Sequence, residues 1–256
     1  MRVLVTGGAG FVGANLVNRL VNDGHEVIIF DNLSTGKQKK LNEKAKFFLV
    51  DVSSKSYFEN KTMADIMDGV DVIFHLAALA RIQPSIKNPV KCLENNFNGT
   101  LNILECARKY DIPVIYAGSS SKHHNLYGSP YAWSKYSGEE LCKLYSEVYG
   151  SNTTICRFYN VYGNYHIRTG DYATVVGIFE QQYLNNEDLT ITSNGEQRRD
   201  FTHVEDIVDG LIRCVNKDFK AEEFELGRGI NYSINEIADM FGKDYPKKYI
   251  SARKGE

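Results

Sequence analysis

Two residues near the middle of the chain have the types and the spacing to move a proton. Tyr131 and Lys135 stand four positions apart in Tyr-Ala-Trp-Ser-Lys, which places both side chains on one face of a helix. A lysine ammonium beside a phenol favours the phenolate and lowers the pKa of the phenol from about 10 toward neutral pH. Such a phenolate can remove a proton from a substrate hydroxyl while a hydride leaves the same carbon. The pair alone also fits a half-buried tyrosine beside a solvated lysine.

A serine triplet precedes this pair. Ser119, Ser120 and Ser121 follow the apolar run Pro113–Tyr116. A hydroxyl at the carboxyl end of such a strand could hydrogen-bond the same substrate oxygen as the tyrosine. The triplet also fits an ordinary polar loop, but the serines, the tyrosine and the lysine together are much more specific than any one of them.

The amino-terminal segment carries a second set of residues, suited to binding phosphate. Residues Thr6–Gly13 read Thr-Gly-Gly-Ala-Gly-Phe-Val-Gly directly behind the apolar run Val3–Val5. A strand that ends in glycines and leads into a helix leaves backbone N–H groups, and the positive end of the helix dipole, available to a pyrophosphate. The glycines are spaced G-x-x-G-x-x-G, a pattern that also fits a glycine-rich turn without a ligand.

An acidic residue at the end of the next strand favours a dinucleotide site over a bare turn. Asp31 follows Gly13 by 18 residues. Its carboxylate can accept hydrogen bonds from both ribose hydroxyls and repel a 2′-phosphate, which predicts NAD as the cofactor. NADP stays open at this point, because Lys37, Lys39 and Lys40 follow and could neutralise a phosphate.

These residues require a scaffold in which strands and helices alternate, and the sequence shows that alternation. Apolar runs predict strands at Val3–Val5, Val27–Phe30, Phe47–Val50, Val72–Phe74, Val114–Tyr116 and Thr153–Arg157. Amphipathic segments predict helices at Phe11–Asn22, Val90–Lys109 and Tyr131–Tyr149. Short, fully apolar strands alternating with helices indicate an α/β fold, a Rossmann-like doubly wound parallel sheet.

The regular alternation of strands and helices changes after Gly163, which predicts that the chain has two parts. Residues 1–163 are expected to form an NAD-binding Rossmann domain, and residues 164–256 a smaller, mixed substrate-binding lobe. Within the second part, strands are predicted at Leu189–Thr192 and Phe201–His203, and helices at Val204–Asn216 and Ile234–Phe241. The chain could cross between the two parts more than once.

Composition excludes several classes of protein. With 256 residues, 43% of them hydrophobic, and a net charge of -2, the chain is typical of a globular protein without a nucleic-acid or membrane partner. The first predicted strand begins at Arg2, so no signal peptide is expected. The five cysteines are far apart in predicted helices and strands, which predicts buried thiols in a reducing cytoplasm and no metal site.

In sequence the chain resembles the extended short-chain dehydrogenase/reductase family. It is similar to the NAD-dependent sugar-nucleotide epimerases and dehydratases, and above all to the UDP-glucose 4-epimerase group. The resemblance runs from residue 1 to the end. Besides the glycine motif and Tyr131–Lys135, it rests on Asp31–Gly36, Asp51-Val52, His75–Ala78, Asn96–Thr100, Arg157–Gly163 and Arg199–Val204.

The resemblance implies a role for each matching residue. The catalytic residues would be Ser119, Tyr131 and Lys135. Besides Tyr131 and Lys135, the cofactor would be bound by Gly7, Gly10, Phe11, Val12, Gly13, Asp31, Asn32, Ser34, Thr35, Gly36, Asp51, Val52, Leu76, Ala77, Ala78, Ala80, Asn96, Phe158 and Tyr159. The substrate would be contacted by Arg81, Ser85, Ser120, Asn160, Arg199 and Arg253. For Arg81 and Ser85, an ordinary solvated loop is an equal alternative, whereas His75 is expected to pack at a strand end.

Two departures from the family pattern affect the expected site. Tyr131 follows Ser119 by only 12 residues, with Lys122–Asn125 where relatives carry Val-Tyr-Gly and a longer loop. His123 and His124 stand in this segment, either as a solvated loop or as substrate contacts. The chain also ends at Glu256, so a final helical segment of relatives is expected to be missing.

The implied activity is that of a sugar-nucleotide 4-epimerase acting on a UDP-hexose. Tyr131 would take the 4-OH proton, a hydride would pass from C4 to NAD, and the transient 4-ketone would turn over before the hydride returns. A dehydratase, decarboxylase or reductase stays open, as does a weakly active NAD-binding homologue. The family also implies a homodimer formed through the helices Val90–Lys109 and Tyr131–Tyr149.

Overall fold

The computed structural model describes residues 1–59, 61–215 and 217–252, and a parallel sheet organises most of them. The strands are β1 (Arg2–Thr6), β2 (Glu26–Asp31), β3 (Lys46–Leu49), β4 (Val72–His75), β5 (Val114–Ser119), β6 (Thr153–Phe158), β7 (Val161–Tyr162), β8 (Leu189–Thr192), β9 (Arg198–Asp200), β10 (Thr202–His203), β11 (Glu222–Leu226), β12 (Asn231–Ser233) and β13 (Lys247–Ile250). Within the described residues, seven of them form one sheet in the order β11-β6-β5-β4-β1-β2-β3, with every neighbouring pair parallel. This confirms the doubly wound parallel sheet that the sequence predicts.

Helices fill the connections between the strands. They are α1 (Phe11–Asn22), α2 (Lys61–Met67), α3 (Ile82–Lys87), α4 (Pro89–Leu93), α5 (Gly99–Tyr110), α6 (Pro130–Tyr149), α7 (Val175–Leu184), α8 (Val204–Arg213) and α9 (Ile234–Asp239). The single helix predicted at Val90–Lys109 is in fact α4 and α5, joined by a π-helical turn at Glu94–Asn98. Such turns insert an extra residue into the hydrogen-bond ladder and are frequent at functional sites.

Both faces of the sheet are covered by helices, which explains why its strands are apolar on both sides. Alternate strand residues point to opposite faces. Leu4 and Ile73 pack in the layer that contains α2, α5 and α6, whereas Val3 and Phe74 pack in the layer that contains α1 and α8.

A smaller layer lies beyond residue 163. Phe179 of α7, Ile191 of β8 and Ile237 of α9 belong to one buried cluster there. Two elements of this part return to the main sheet, which is the crossing that the sequence left open. Ile207 of α8 packs in the layer that contains α1, and β11 pairs with β6 as the edge strand. Strand β11 is missing from the sequence prediction.

The carboxyl ends of β1, β4, β5 and β6 meet at one edge of the sheet because these strands are parallel. Thr6 and His75 are register partners at that edge, and the Thr6 hydroxyl lies 2.7 Å from His75 Nδ1. The loops that leave this edge carry the residues that the sequence predicts to be functional.

Candidate active site

A cavity of about 1210 Å³ lies against this edge of the sheet. The loops after β1, β2, β4, β5 and β6 form one wall, and residues 167–201 contribute the opposite wall. Its lining includes Asp31, the last residue of β2, and also Asn194 and Arg199 of the opposite wall. Clefts at the carboxyl ends of parallel strands are the usual ligand sites of such folds.

The glycine turn is packed too closely for any side chain at two positions. Gly7 has a φ of +74°, and a Cβ there would meet the backbone nitrogen of Ala77 at 2.8 Å. A Cβ on Gly13 would lie 2.1 Å from the carbonyl oxygen of Gly7. Gly7 therefore lies close against the residues that follow β4, and the first turn of α1 packs against Gly7, while these glycines also line the cavity. This shape fits a dinucleotide pyrophosphate.

The carboxylate of Asp31 is fixed at the next strand end. It accepts hydrogen bonds from the backbone N–H groups of Ala9, at 3.0 Å, and Leu33, at 2.8 Å. Burial raises the pKa of Asp31, and these two hydrogen bonds oppose that effect. The carboxylate lines the cavity, as an acceptor for ribose hydroxyls must. Lys40, a possible partner of a 2′-phosphate, instead donates to the carbonyl oxygen of Tyr165 at 2.8 Å.

The predicted catalytic hydroxyls face each other in the same cavity. Tyr131 Oη donates to Ser119 Oγ at 3.4 Å. Ser119 is the last residue of β5, and its Oγ also accepts from the backbone N–H of Ser121 at 3.2 Å. Helix α6 begins at Pro130 because Ser129 caps it, accepting from the Ala132 N–H at 3.1 Å. This start sets Tyr131 on the first turn, beside the end of β5.

The positive charge of Arg81 acts on Tyr131. Burial raises the pKa of Tyr131, while the hydrogen bond with Ser119 and the charge of Arg81 lower it, and burial prevails. That Lys135 favours the Tyr131 phenolate stays a prediction. Lys135 Nζ lies 4.3 Å from the centroid of the Tyr116 ring, and burial lowers the pKa of Lys135 to about 8.

His75 is confirmed as a packed strand-end residue. Its Nδ1 lies 2.7 Å from the Thr6 hydroxyl, and its Nε2 lies 3.2 Å from the hydroxyl of Thr100. Burial, and then the charge of Lys135, lower the pKa of His75 to about 3. The ring is therefore neutral near pH 7 and serves as a structural hydrogen-bonding group.

The short segment after Ser119 is held by ion pairs. His123 Nε2 lies 2.8 Å from a carboxylate oxygen of Glu225, and Lys122 Nζ lies 3.4 Å from Glu223, both on β11. Arg157 of β6 joins the same group, because it binds both these glutamates and the buried Glu139. His124 points elsewhere and lines the cavity, so the two adjacent histidines have different surroundings.

Most of the residues predicted for the site do line the cavity. Those that do are Gly7, Gly10, Phe11, Val12, Gly13, Asp31, Asn32, Ser34, Thr35, Val52, Leu76, Ala77, Ala78, Ala80, Arg81, Ser119, Ser120, Tyr131, Lys135, Phe158, Tyr159, Asn160 and Arg199. Arg253 lies outside the described residues.

Four predicted site residues do not lie on the cavity wall, and each has a different partner. Gly36 packs behind Asp31, and a Cβ there would approach Asp31 Oδ1 to 2.9 Å. Asp51 accepts from Ser53 and Asn32. Asn96 binds the backbone of Leu79 and the hydroxyl of Ser134. The hydroxyl of Ser85 donates to the carbonyl oxygen of Ile82 at 2.7 Å.

Sequence reasoning missed the opposite wall of the cavity. Residues 170–176, together with Ile167, Thr190, Asn194 and Gln197, line it. These positions lie in loops, at the start of α7 and on β8, so no single periodic pattern connects them with the cavity. No motif at these positions could have singled them out.

The fold and the cavity together define a dinucleotide-dependent enzyme of the Rossmann type. A model of the NAD-dependent epimerase/dehydratase family matches residues 3–227. The chain belongs to this family, which confirms the sequence resemblance, and NAD is its cofactor.

Individual relatives agree with this assignment. The chain is 38% identical, over 99% of its length and 87% of the relative, to a protein described as a putative UDP-glucose 4-epimerase of Methanocaldococcus jannaschii. It is 34% identical, over 93% of its length and 78% of the relative, to a UDP-N-acetyl-alpha-D-glucosaminuronate decarboxylase of Bacillus cytotoxicus.

A solved structure gives the same result. The UDP-glucose 4-epimerase of Thermotoga maritima, solved with UDP-glucose, matches with a TM-score of 0.90 at 31% identity, covering 100% of this chain and 87% of that one. The proteins similar to this chain thus include both 4-epimerases and a decarboxylase.

Proposed function

We propose that the protein is a 4-epimerase of a nucleotide-linked hexose, with UDP as the favoured nucleotide. The observation that carries the proposal is the pair of hydroxyls, Tyr131 Oη and Ser119 Oγ, 3.4 Å apart inside the cavity that the glycine turn and Asp31 also line. Nucleotide binding alone does not require such a pair, which argues against a homologue that merely binds NAD.

The mechanism follows from the groups around the reacting carbon. Ser119 hydrogen-bonds the C4 hydroxyl oxygen of the sugar, and Tyr131 accepts its proton. The chemistry supplied by bound NAD is reversible hydride acceptance at C4, together with a positive ring charge that favours the Tyr131 phenolate. Because that acceptance is reversible, a 4-ketone that has turned within the cavity would regain the hydride on the other face of C4 while Tyr131 returns the proton to the oxygen. Asn160 and Arg199 are proposed to hold the diphosphate, a suitable task for a guanidinium.

The residues that follow Ser119 favour an isomerase over a dehydratase. Elimination of water from the sugar needs a further acid and base beside the catalytic hydroxyl. Lys122 and His123 stand there, but both are engaged with Glu223 and Glu225 of β11. Neither is placed to exchange a proton with a sugar in the cavity.

The activity is tested by incubating the protein with catalytic NAD and with UDP-, GDP- and dTDP-linked sugars, neutral and acidic, and following C4 inversion by NMR. We expect inversion of at least one UDP sugar. No inversion of any of them would reject the proposal.

A Tyr131→Phe variant tests the role of the phenol. The phenylalanine keeps the ring but loses the proton acceptor, so kcat should fall by about 10²–10⁴-fold while NAD binding persists. Tyr127→Phe is the control, because the Tyr127 side chain is exposed in the neighbouring loop. Undiminished turnover by Tyr131→Phe would remove this residue from the mechanism.

We further propose that the protein is a homodimer in a reducing cytoplasm. Apolar side chains on α4 and α6, among them Val90, Leu144 and Val148, are exposed and would be covered by a second copy. All five cysteines are buried free thiols. No helix among the described residues combines the length and the apolarity needed to cross a bilayer.

A further inference from the structure

Arg81 occupies a backbone conformation that an arginine rarely adopts. It ends the loop after β4 and precedes α3, with φ and ψ both at 144°. This region is almost confined to glycine, and side chains held there are often part of a functional site. The side chain of Arg81 is therefore expected to have a function in the site.

A chain of hydrogen bonds fixes the Arg81 loop against the turn that carries Tyr131. Asn96 accepts from the N–H of Leu79 at 2.7 Å and donates to the Leu79 carbonyl oxygen at 3.2 Å. The same amide donates to Ser134 Oγ at 2.9 Å, and Ser134 Oγ donates to the carbonyl oxygen of Tyr131 at 2.9 Å. The loop and the first turn of α6 are thus joined two residues before Arg81, which helps to fix the position of Arg81 relative to Tyr131.

The guanidinium group lines the cavity without a carboxylate to neutralise it. Arg81 Nε donates to the carbonyl oxygen of Tyr172, on the opposite wall, at 3.1 Å. In the part of the chain that the structure describes, no Asp or Glu pairs with Arg81. Asp171, next to Tyr172, pairs with Lys87 at 3.0 Å. A partly buried cation with no paired anion is costly, and an anionic ligand removes that cost.

The position of Arg81 indicates which anion it meets. The substrate diphosphate is proposed to lie with Asn160 and Arg199. Arg81 is close enough to Tyr131 for its charge to act on the phenol, and Tyr131 is proposed to meet the C4 hydroxyl of the sugar. C4 has two ring neighbours, C3, which carries a neutral hydroxyl, and C5, which carries C6, the position where a hexose can bear a carboxylate. A carboxylate at C6 would lie a few bonds from the reacting hydroxyl, and a guanidinium can bind it through two hydrogen bonds.

We infer that Arg81 recognises a sugar carboxylate, so that the substrate is a nucleotide-linked hexuronate. This inference rests on the proposed function, since it deepens the substrate class of the same site. Arg81 would then be a specificity-determining residue that a neutral hexose leaves without an anionic partner.

The test compares UDP-glucuronate with UDP-glucose, using the native protein, Arg81→Gln and Arg81→Lys. We expect the native protein to favour the uronate in kcat/KM by about 100-fold, the size of one charge-assisted hydrogen-bonded contact. In Arg81→Gln, kcat/KM for UDP-glucuronate should fall about 100-fold further than kcat/KM for UDP-glucose, whose own decrease measures the loss of the Arg81 charge near Tyr131. Arg81→Lys should keep part of the preference. Lys87→Gln, which removes a charge already paired with Asp171, is the matched control and should keep the full preference.

Two outcomes would overturn the inference. One is a native protein with no preference for the uronate, and the other is an Arg81→Gln variant in which both sugars lose kcat/KM equally. Equal loss would mean that Arg81 acts only on Tyr131 or on the loop, and not on a carboxylate.

Binding separates this inference from the proposed function. In a Tyr131→Phe background, titration calorimetry of UDP-glucuronate and UDP-glucose measures recognition without turnover. A uronate preference that disappears on adding Arg81→Gln supports carboxylate recognition even if no sugar is epimerised. Epimerisation of UDP-glucose without any uronate preference leaves the proposed function standing and removes the inference.

Discussion

Lys135 is an ammonium group in surroundings that favour its neutral form. Burial lowers its pKa from 10.5 to about 8, although the aromatic face of Tyr116 lies 4.3 Å away. The unfolded chain therefore binds more protons than the folded protein between these two values. Below pH 8 the buried charge lowers the free energy of unfolding by its full amount. This loss becomes smaller as the pH rises toward 10.5.

We predict that Lys135→Met stabilises the protein while it destroys activity. Removing the buried charge should raise the free energy of unfolding by about 2–3 kcal/mol at pH 7, and by less at pH 9.5. Urea unfolding at the two pH values measures this. Lys143→Met on the same helix is the control, because Lys143 pairs with Glu140 and Glu223, which raise its pKa, and should give no gain. A destabilised Lys135→Met protein at pH 7 would contradict the argument.

Asp31 is expected to set the choice between NAD and NADP. Asp31→Ser removes the acceptor for the ribose hydroxyls and the repulsion of a 2′-phosphate, so the ratio of the Kd values for NADP and NAD should fall by about 10–100-fold. Fluorescence titration measures both constants. Asp51→Asn is the control, since Asp51 does not line the cavity and an asparagine retains its Oδ1 acceptor. An unchanged ratio in Asp31→Ser would show that other residues discriminate between NAD and NADP.

The residues of the site were largely predictable because their types and spacing are local. Tyr131 and Lys135 are one helical turn apart, and Gly7 to Gly13 belong to one turn. The charges around Tyr131 were not predictable. Arg81 meets Tyr172 through a contact across 91 positions, and no local pattern reports such a pairing.

Strand β11 is bound to its neighbour β6 partly through charged side chains. Its sequence, Glu-Glu-Phe-Glu-Leu, places Phe224 and Leu226 against the layer with α1 and α8, and directs Glu223 and Glu225 to Arg157. The glutamates hide the apolar pattern, which explains why the sequence prediction omits this strand. By contrast, α1 was predicted with its bounds, since its amphipathic pattern is uninterrupted between Gly10 and Asp23.

We predict that Arg157→Leu strongly destabilises the protein. Glu139, which is fully buried, would lose the guanidinium that pairs with it at 2.8 Å and would keep the more distant charge of Lys122, at 3.5 Å. Leaving one member of a buried ion pair uncompensated costs about 3–5 kcal/mol, measurable as a lower urea midpoint. The control is Lys55→Met, which removes the exposed pair with Glu59 and should cost about 1 kcal/mol at most. A similar decrease in the free energy of unfolding in both variants would mean that the buried ion pairs of Arg157 stabilise the protein no more than an exposed pair does.

At the scale of the whole molecule, the two walls of the cavity are joined by a few polar contacts. Asn15 of α1 donates to the carbonyl oxygen of Asn164 at 2.8 Å, and Lys40 and Arg81 donate to those of Tyr165 and Tyr172. These side chains tie the segment that begins near residue 164 to the edge of the sheet. The cavity is therefore a property of the assembled chain, and the sequence could predict its sheet side far better than its opposite side.

The proposed dimer can be tested through the exposed face of α6. Leu144 and Val148 stand four residues apart with exposures of 50% and 58%, so a second copy packed there would bury both. Glutamates at both positions would place charges in an apolar interface, and we expect Leu144→Glu/Val148→Glu to sediment as a monomer. Tyr183→Glu/Leu184→Glu on α7, where the exposures are 45% and 60%, is the matched control and should remain a dimer. A native protein that sediments only as a monomer would refute the dimer, and a double variant on α6 that stays dimeric would move the interface to another face.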